Sequence, residues 1–231
     1  FEKNHGGKIP RGIPRSVVPA APDAWITALE KYGTMSFGEV AAAAIRFACE
    51  GFPMYPTMAE LLHEKKDLYK DWPSSAAVYL ANGDVPEVGT LFVQDELGKS
   101  IQYMVDQEAA SAKNGRAAGL QAARDAFYRG DLSAAILKFH GANGGLLTAE
   151  DLSEFRVGIE PPAQTKFGNI DVYGCGPWCQ GPMMLQALNL LNGIDLKKMG
   201  HNSTAYIHTL TEAIKLAAAD REAYYGDPRF V

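Results

Sequence analysis

Cysteine is scarce: Cys49, Cys175 and Cys179 are the three in 231 residues. That is too few for a disulfide scaffold, and the odd count leaves at least one thiol unpaired. No apolar run approaches the length of a membrane span. Basic charge is sparse as well: 22 Lys and Arg stand against 27 Asp and Glu, a net charge of −5. Nucleic acid and anionic membrane surfaces are poor partners for such a chain, because both need dense positive charge. No internal repeat of solenoid period is present. What remains is ordinary for a globular protein, with 47% hydrophobic and 21% charged residues. The length suits one domain or one large subunit better than several small modules. The chain opens at Phe1 and not at methionine, which leaves a leader peptide open, and with it a periplasmic, extracellular or cytoplasmic location.

Motifs that carry chemistry are missing too. His5, His63, His140, His201 and His208 are scattered without ligand spacing. They read as surface or cap residues, and no metal or cofactor is expected. No Gly-x-Ser-x-Gly elbow occurs, and Gly144-Gly145 is too short for a phosphate loop. Glu150 with Asp151, and Asp220 with Glu222, read as helix caps and surface ion pairs. The segment Cys175-Gly176-Pro177-Trp178-Cys179 shares residue types with a dithiol motif, but three residues separate its sulfurs where two are needed. It is read as a structural loop with two unpaired thiols. No catalytic residue is expected within the chain itself.

Periodicity predicts a helix-rich chain. A short strand is expected near Ser16–Val18. Pro22 then opens a helix, with Trp25, Ala28, Leu29 and Tyr32 as its apolar stripe and Gly33 as its stop. Ser36 and Glu39 form a capping box before an Ala-rich helix that ends at Gly51. Thr57 is expected to start a further helix in the same way, and residues 65–86 read as irregular. A helix follows over 95–107. Residues 108–124, almost all small or polar, read as its continuation on the surface, with a mobile insertion as the alternative. Helices over 132–139 and after Thr148 come next. Residues 155–160 and 166–175 are expected to form an edge hairpin split by Pro161-Pro162. Helices over 182–191 and 203–225 close the chain; Tyr206, Ile207, Leu210, Ala213, Ile214 and Ala217 form the inward stripe of the second.

Seven blocks in collinear order resemble the γ-glutamyltransferase large subunit. They begin at Ser16-Val17-Val18-Pro19-Ala20-Ala21-Pro22-Asp23-Ala24-Trp25 and at Tyr32-Gly33-Thr34-Met35-Ser36-Phe37. Glu50-Gly51-Phe52-Pro53, Phe127-Tyr128-Arg129-Gly130 and Asn143-Gly144-Gly145 through Leu152 follow. Leu185–Leu191 with Gly200-His201-Asn202-Ser203, and the ending Asp220–Val231, complete the set. The resemblance implies an N-terminal-nucleophile hydrolase with an αββα sandwich. This chain is then one partial domain, α+β and helix-rich: the outer helical part of that sandwich with a small β-hairpin. It also implies self-cleavage of a precursor, whose small subunit starts with a nucleophilic Thr lying beyond Val231. That Thr attacks a γ-glutamyl amide with its own α-amine as base, and the acyl group passes to water or an amino acid. The small subunit and a small-molecule γ-glutamyl or related amide are thus the expected partners. The family's carboxylate-binding arginine lies upstream of the point matching Phe1, so Arg11 and Arg15 are near it without matching it. Where relatives carry Pro-Pro-Pro-Ser-Ser-Gly-Gly, this chain has Gly176-Pro177-Trp178-Cys179-Gln180-Gly181-Pro182. Arg11, Arg15, Trp178 and Gln180 are therefore the candidate substrate-binding residues. The loop and the long 108–124 segment leave a related acylase, or a non-catalytic helical scaffold, open as alternatives. An excised helical layer also implies an exposed apolar face and dimers of the segment.

Overall fold

The computed structural model describes residues 6–230; His5 lies outside that range. The chain divides into two compact units, one running to Val157 and one starting at Gly158. The first holds α1 (Ala21–Tyr32), α2 (Phe37–Glu50), β1 (Phe52–Pro53), α3 (Pro56–Glu64), α4 (Lys66–Lys70) and α5 (Pro73–Tyr79). It continues through β2 (Leu91–Phe92), α6 (Asp95–Ser111), α7 (Arg116–Tyr128), α8 (Asp131–Ala142) and α9 (Ala149–Glu154). The second holds β3 (Ala163–Phe167), β4 (Ile170–Gly174), α10 (Gly181–Leu191) and α11 (Thr204–Tyr224). The helix-rich α+β expectation with one small hairpin matches this order.

Two apolar clusters build the first unit. Ile26 of α1, Phe37 and Ala41 of α2, Met104 of α6, and Leu120, Ala123 and Ala126 of α7 form the larger. Ile26 and Leu120 are fully buried, each worth about 1.5–3 kcal/mol relative to exposure. The second gathers Met54, Ala59, Leu62, Leu80, Val85 and Phe92 beneath the short antiparallel β1–β2 pair, where Phe52 sits opposite Phe92. Tyr79 stacks on Phe92 with ring centroids 5.7 Å apart.

Helix starts follow their caps. The Ser36 hydroxyl accepts from the Glu39 N–H, and the Glu39 carboxylate accepts from the Ser36 N–H. Thr148 and Asp151 repeat that exchange at α9, and the Ser203 hydroxyl accepts from the Tyr206 N–H at α11. These bonds hold the Glu39 and Asp151 carboxyls below their ordinary range, the backbone N–H of Ser36 and of Thr148 being the main cause.

Several expectations are corrected. Residues 16–18 form no strand; a 3-10 turn, Ile13–Arg15, precedes them. Helix α1 turns Pro22, Asp23 and Ile26 inward while Trp25 and Tyr32 stay exposed, because a buried ion pair fixes its rotation. On α11, Ala213 and Ala217 are buried but Ile207 and Ile214 are exposed, so the inward stripe is narrower than expected. Helix α3 starts at Pro56, where a missing N–H costs nothing, and Thr57 is not its cap. Residues 65–86 contain α4 and α5, and α5 again starts with a proline. Residues 108–124 are helical but not one continuous surface helix: α6 ends at Ser111, residues 112–117 are exposed, and α7 buries Gly119, Leu120, Ala123 and Arg124. Small residues there let helices approach closely. Residues 155–160 are not a strand. The hairpin pairs Ala163 with Gly174 and Phe167 with Ile170 around Gly168, whose φ of +57° a hairpin turn favours.

Candidate functional site

In the second unit the candidates Trp178 and Gln180 share the loop between β4 and α10. Pro177 occupies the second position of a tight turn, in which the Cys179 N–H donates to the Gly176 carbonyl at 3.0 Å. Both side chains are exposed but tethered. The Trp178 indole N–H donates to the Glu160 carboxylate. The Gln180 carbonyl accepts from an Arg221 Nη at 3.2 Å. Gly176 is buried, and a Cβ there would lie 3.0 Å from Glu160 Oε1. A Cβ on Gly181 would lie 2.2 Å from the Cys175 carbonyl oxygen. The glycines thus let the loop fold tightly onto its own ends.

Helices α10 and α11 are joined below this loop by a polar chain. Gln186 donates to Asp220 and accepts from the Tyr225 hydroxyl at 2.9 Å. Arg221 also pairs with Glu222. Asp220 and Arg221 are accordingly structural partners, as their positions on a packed helix suggest. Past the helix, Asp227 accepts from the Arg229 side chain and from its N–H at 3.0 Å. These bonds, the side-chain one foremost, lower the Asp227 carboxyl to about 2.

In the first unit Arg15 borders a cleft of about 760 Å³, with Lys8, Ile9, Pro14, Val17 and Leu146. Its Nε and an Nη donate to the Ile9 carbonyl at 3.1 and 2.8 Å. Arg11 is exposed and outside that lining. His140, expected at the surface, is buried, and its Nδ1 has no partner among the described residues. Loop 143–145 covers it: a Cβ on Gly145 would lie 2.2 Å from that nitrogen. Among the described residues no three His, Cys, Asp or Glu side chains gather to hold a metal ion. No described helix is long and apolar enough to cross a membrane. All three cysteines are free thiols, with Cys175 and Cys179 exposed.

What sequence reasoning missed is a buried polar network. The Asp23 carboxylate is fully buried and accepts from Arg124 Nε at 2.6 Å and the Val157 N–H at 2.7 Å. Arg124 also donates to Gln121 at 2.7 Å, Thr27 at 3.1 Å and Glu30 at 3.2 Å. The Tyr128 hydroxyl donates to the Pro19 carbonyl and accepts from the Asp23 N–H at 3.2 Å. Burial lifts the Tyr128 phenol above its ordinary value. Glu108 is the second such group: its two oxygens accept the Phe37 and Gly38 N–H groups at 2.8 Å each. It thereby satisfies two orphan donors at the α2 start. The available signal was a lone charge set among small residues, Asp23 after Pro22 and Arg124 after Ala122-Ala123.

The first unit is thus a helical scaffold pinned by one buried ion pair, and the second carries a tethered loop before α10. The chain belongs to the gamma-glutamyltranspeptidase family, whose model matches residues 1–231. It is 30% identical to the glutathione hydrolase-like YwrD proenzyme of Bacillus subtilis, over 95% of this chain and 39% of that protein. It is 33% identical to the acylase ACY 1 proenzyme of a Pseudomonas strain, over 95% of this chain and 37% of that protein. The glutathione hydrolase proenzyme of Escherichia coli is 31% identical, over 94% and 35%. Among solved structures, Helicobacter pylori gamma-glutamyltranspeptidase superposes with a TM-score of 0.83 at 27% identity, over 95% of this chain and 59% of that one. The chain thus spans 35–39% of the length of these curated relatives.

Proposed function

We propose that this chain is the large-subunit portion of an autoprocessed γ-glutamyl amidase or transferase, forming the outer helical part of an αββα sandwich. One observation carries the reading: the gamma-glutamyltranspeptidase family model matches the chain from residue 1 to residue 231, and relatives of the chain are proenzymes. The nucleophilic Thr comes from the small subunit. Its hydroxyl attacks the amide carbon, its α-amine takes the proton, and the acyl group leaves to water or an amino acid. This chain contributes shape and not the nucleophile. In the second unit Trp178 and Gln180, held by Glu160 and Arg221, are candidate substrate contacts. Arg15 and Arg11 are the cationic candidates for the substrate carboxylate, with Arg15 the better placed on its cleft.

A second reading, an acylase for a different side-chain amide, is supported by 33% identity to the acylase, of the same order as the 30–31% to the glutathione hydrolases. The bulk of Trp178 points the same way. The deciding experiment compares γ-glutamyl anilide with glutaryl anilide, using the processed full-length protein. Turnover of the γ-glutamyl compound supports the first reading; turnover of the glutaryl compound alone overturns it. This chain by itself is expected to release no anilide, and turnover by the purified chain would contradict the placement of the nucleophile.

A further inference from the structure

We propose that Cys175 and Cys179 form a reversible disulfide site that closes the loop between β4 and α10 on itself. Both thiols are free and exposed. The Cys179 N–H donates to the Gly176 carbonyl at 3.0 Å, and such a turn keeps its first and fourth Cα atoms within about 7 Å. Cys175 immediately precedes the first of them. The far end of the loop returns to the same cysteine: a Cβ on Gly181 would lie 2.2 Å from the Cys175 carbonyl oxygen and 2.6 Å from its nitrogen. Cys179 is two residues before Gly181, a reach of at most about 7 Å. The turn thus keeps the two Cα atoms within about 11 Å of each other, a range that includes the roughly 4.4–6.8 Å separation a disulfide needs.

The loop is ordered before any bond forms. Trp178 is held by Glu160 and Gln180 by Arg221, so closing the small ring costs little further chain entropy. The spacing that disqualifies the segment as a two-residue dithiol motif is the spacing this turn brings back together. The site does not rest on the amidase reading.

The oxidant is a small-molecule disulfide. One cysteine loses its proton and its sulfur attacks the reagent, breaking the reagent S–S bond and expelling one half as a thiolate. The second cysteine then loses its proton and attacks the resulting mixed disulfide, expelling the other half. Two protein thiols are oxidised, one reagent disulfide is reduced, and the two protons pass to the two released thiols.

The test uses the reduced full-length protein with bis(2-hydroxyethyl) disulfide, a reagent without a γ-glutamyl group. Remaining thiols are blocked with iodoacetamide before trypsin digestion. The tryptic peptide from Phe167 to Lys197 carries Cys175 and Cys179 but not Cys49. The expected product has lost two hydrogens, carries no alkyl group on either cysteine, and becomes doubly alkylated after dithiothreitol. Two alkylated cysteines, separate hydroxyethyl adducts, or a cross-link to another peptide would each overturn the proposal.

Discussion

Replacing Arg124 with methionine removes the cation from a carboxylate that has no water to turn to. Asp23 is fully buried, and the Arg124 side chain is only 5% exposed. After Arg124→Met, Asp23 keeps the Val157 N–H at 2.7 Å and little else. A buried charge stripped of its partner costs about 3–5 kcal/mol. The lost bonds to Gln121 and Thr27 are partly replaced by methionine packing, and the bond to Glu30 counts for little because Glu30 is 45% exposed. Against a total stability of about 5–15 kcal/mol, the variant sits near unfolding. With a urea slope of about 2 kcal/mol per molar, the midpoint should fall by about 2 M in circular-dichroism melts. Asp23→Asn should be less damaging, since the amide still accepts from one side. The double variant should recover part of the sum, with a coupling of about 2 kcal/mol. A single-variant loss below about 0.5 kcal/mol, or strict additivity, would show that the pair is not desolvated.

Other outcomes follow from the same geometry. Glu108→Ala should cost about 2–4 kcal/mol, because it orphans the Phe37 and Gly38 N–H groups together; hydrogen exchange at those amides should accelerate, and unchanged protection would refute the cap. Asp227, Glu39 and Asp151 have folded values depressed below their unfolded ones, so their stabilisation is present above their ordinary range and is lost as pH falls, for Asp227 as it approaches about 2. A carboxyl of Asp227 titrating near 4 by NMR would contradict its bonds to Arg229. Gly181→Ala must move the Cys175 carbonyl, which a new Cβ would meet at 2.2 Å; a loss of about 1–3 kcal/mol and faster proteolysis at residues 175–180 are expected, and wild-type behaviour in both would refute the close approach.

The parts legible in the sequence were those set by local chemistry. Ser36 with Glu39, Thr148 with Asp151, and Ser203 each announce a helix start within four residues, and Gly33 and Gly51 announce stops. What depended on distant partners was not legible. The aromatic stripe from Trp25 to Tyr32 looked buried because apolar residues usually are, yet Asp23 is drawn inward by Arg124, 101 residues away. Residues 108–124 looked superficial because they are almost all small or polar; residues 112–117 are exposed, but Glu108 and Arg124 at the two ends are buried by the α2 N-terminus and Asp23. The hairpin was foreseen but misplaced, since Pro161-Pro162 drew the turn away from Gly168-Asn169. Trp178 and Gln180 were legible as departures from a family pattern; their anchors Glu160 and Arg221 were not, lying 18 and 41 residues away.

The bond from Val157 to Asp23 has a consequence in time. Its ends are 134 residues apart, and a ribosome adds about 5–20 residues per second. Helix α1 therefore leaves the ribosome about 7–27 s before the last of its buried partners exists. Until Arg124 is made, 101 residues after Asp23, Asp23 has no cation to pair with, and the helix has nothing to fix which of its faces turns inward. The rotation that hides Ile26 and leaves Trp25 in solvent is decided late, by residues the early chain has yet to acquire.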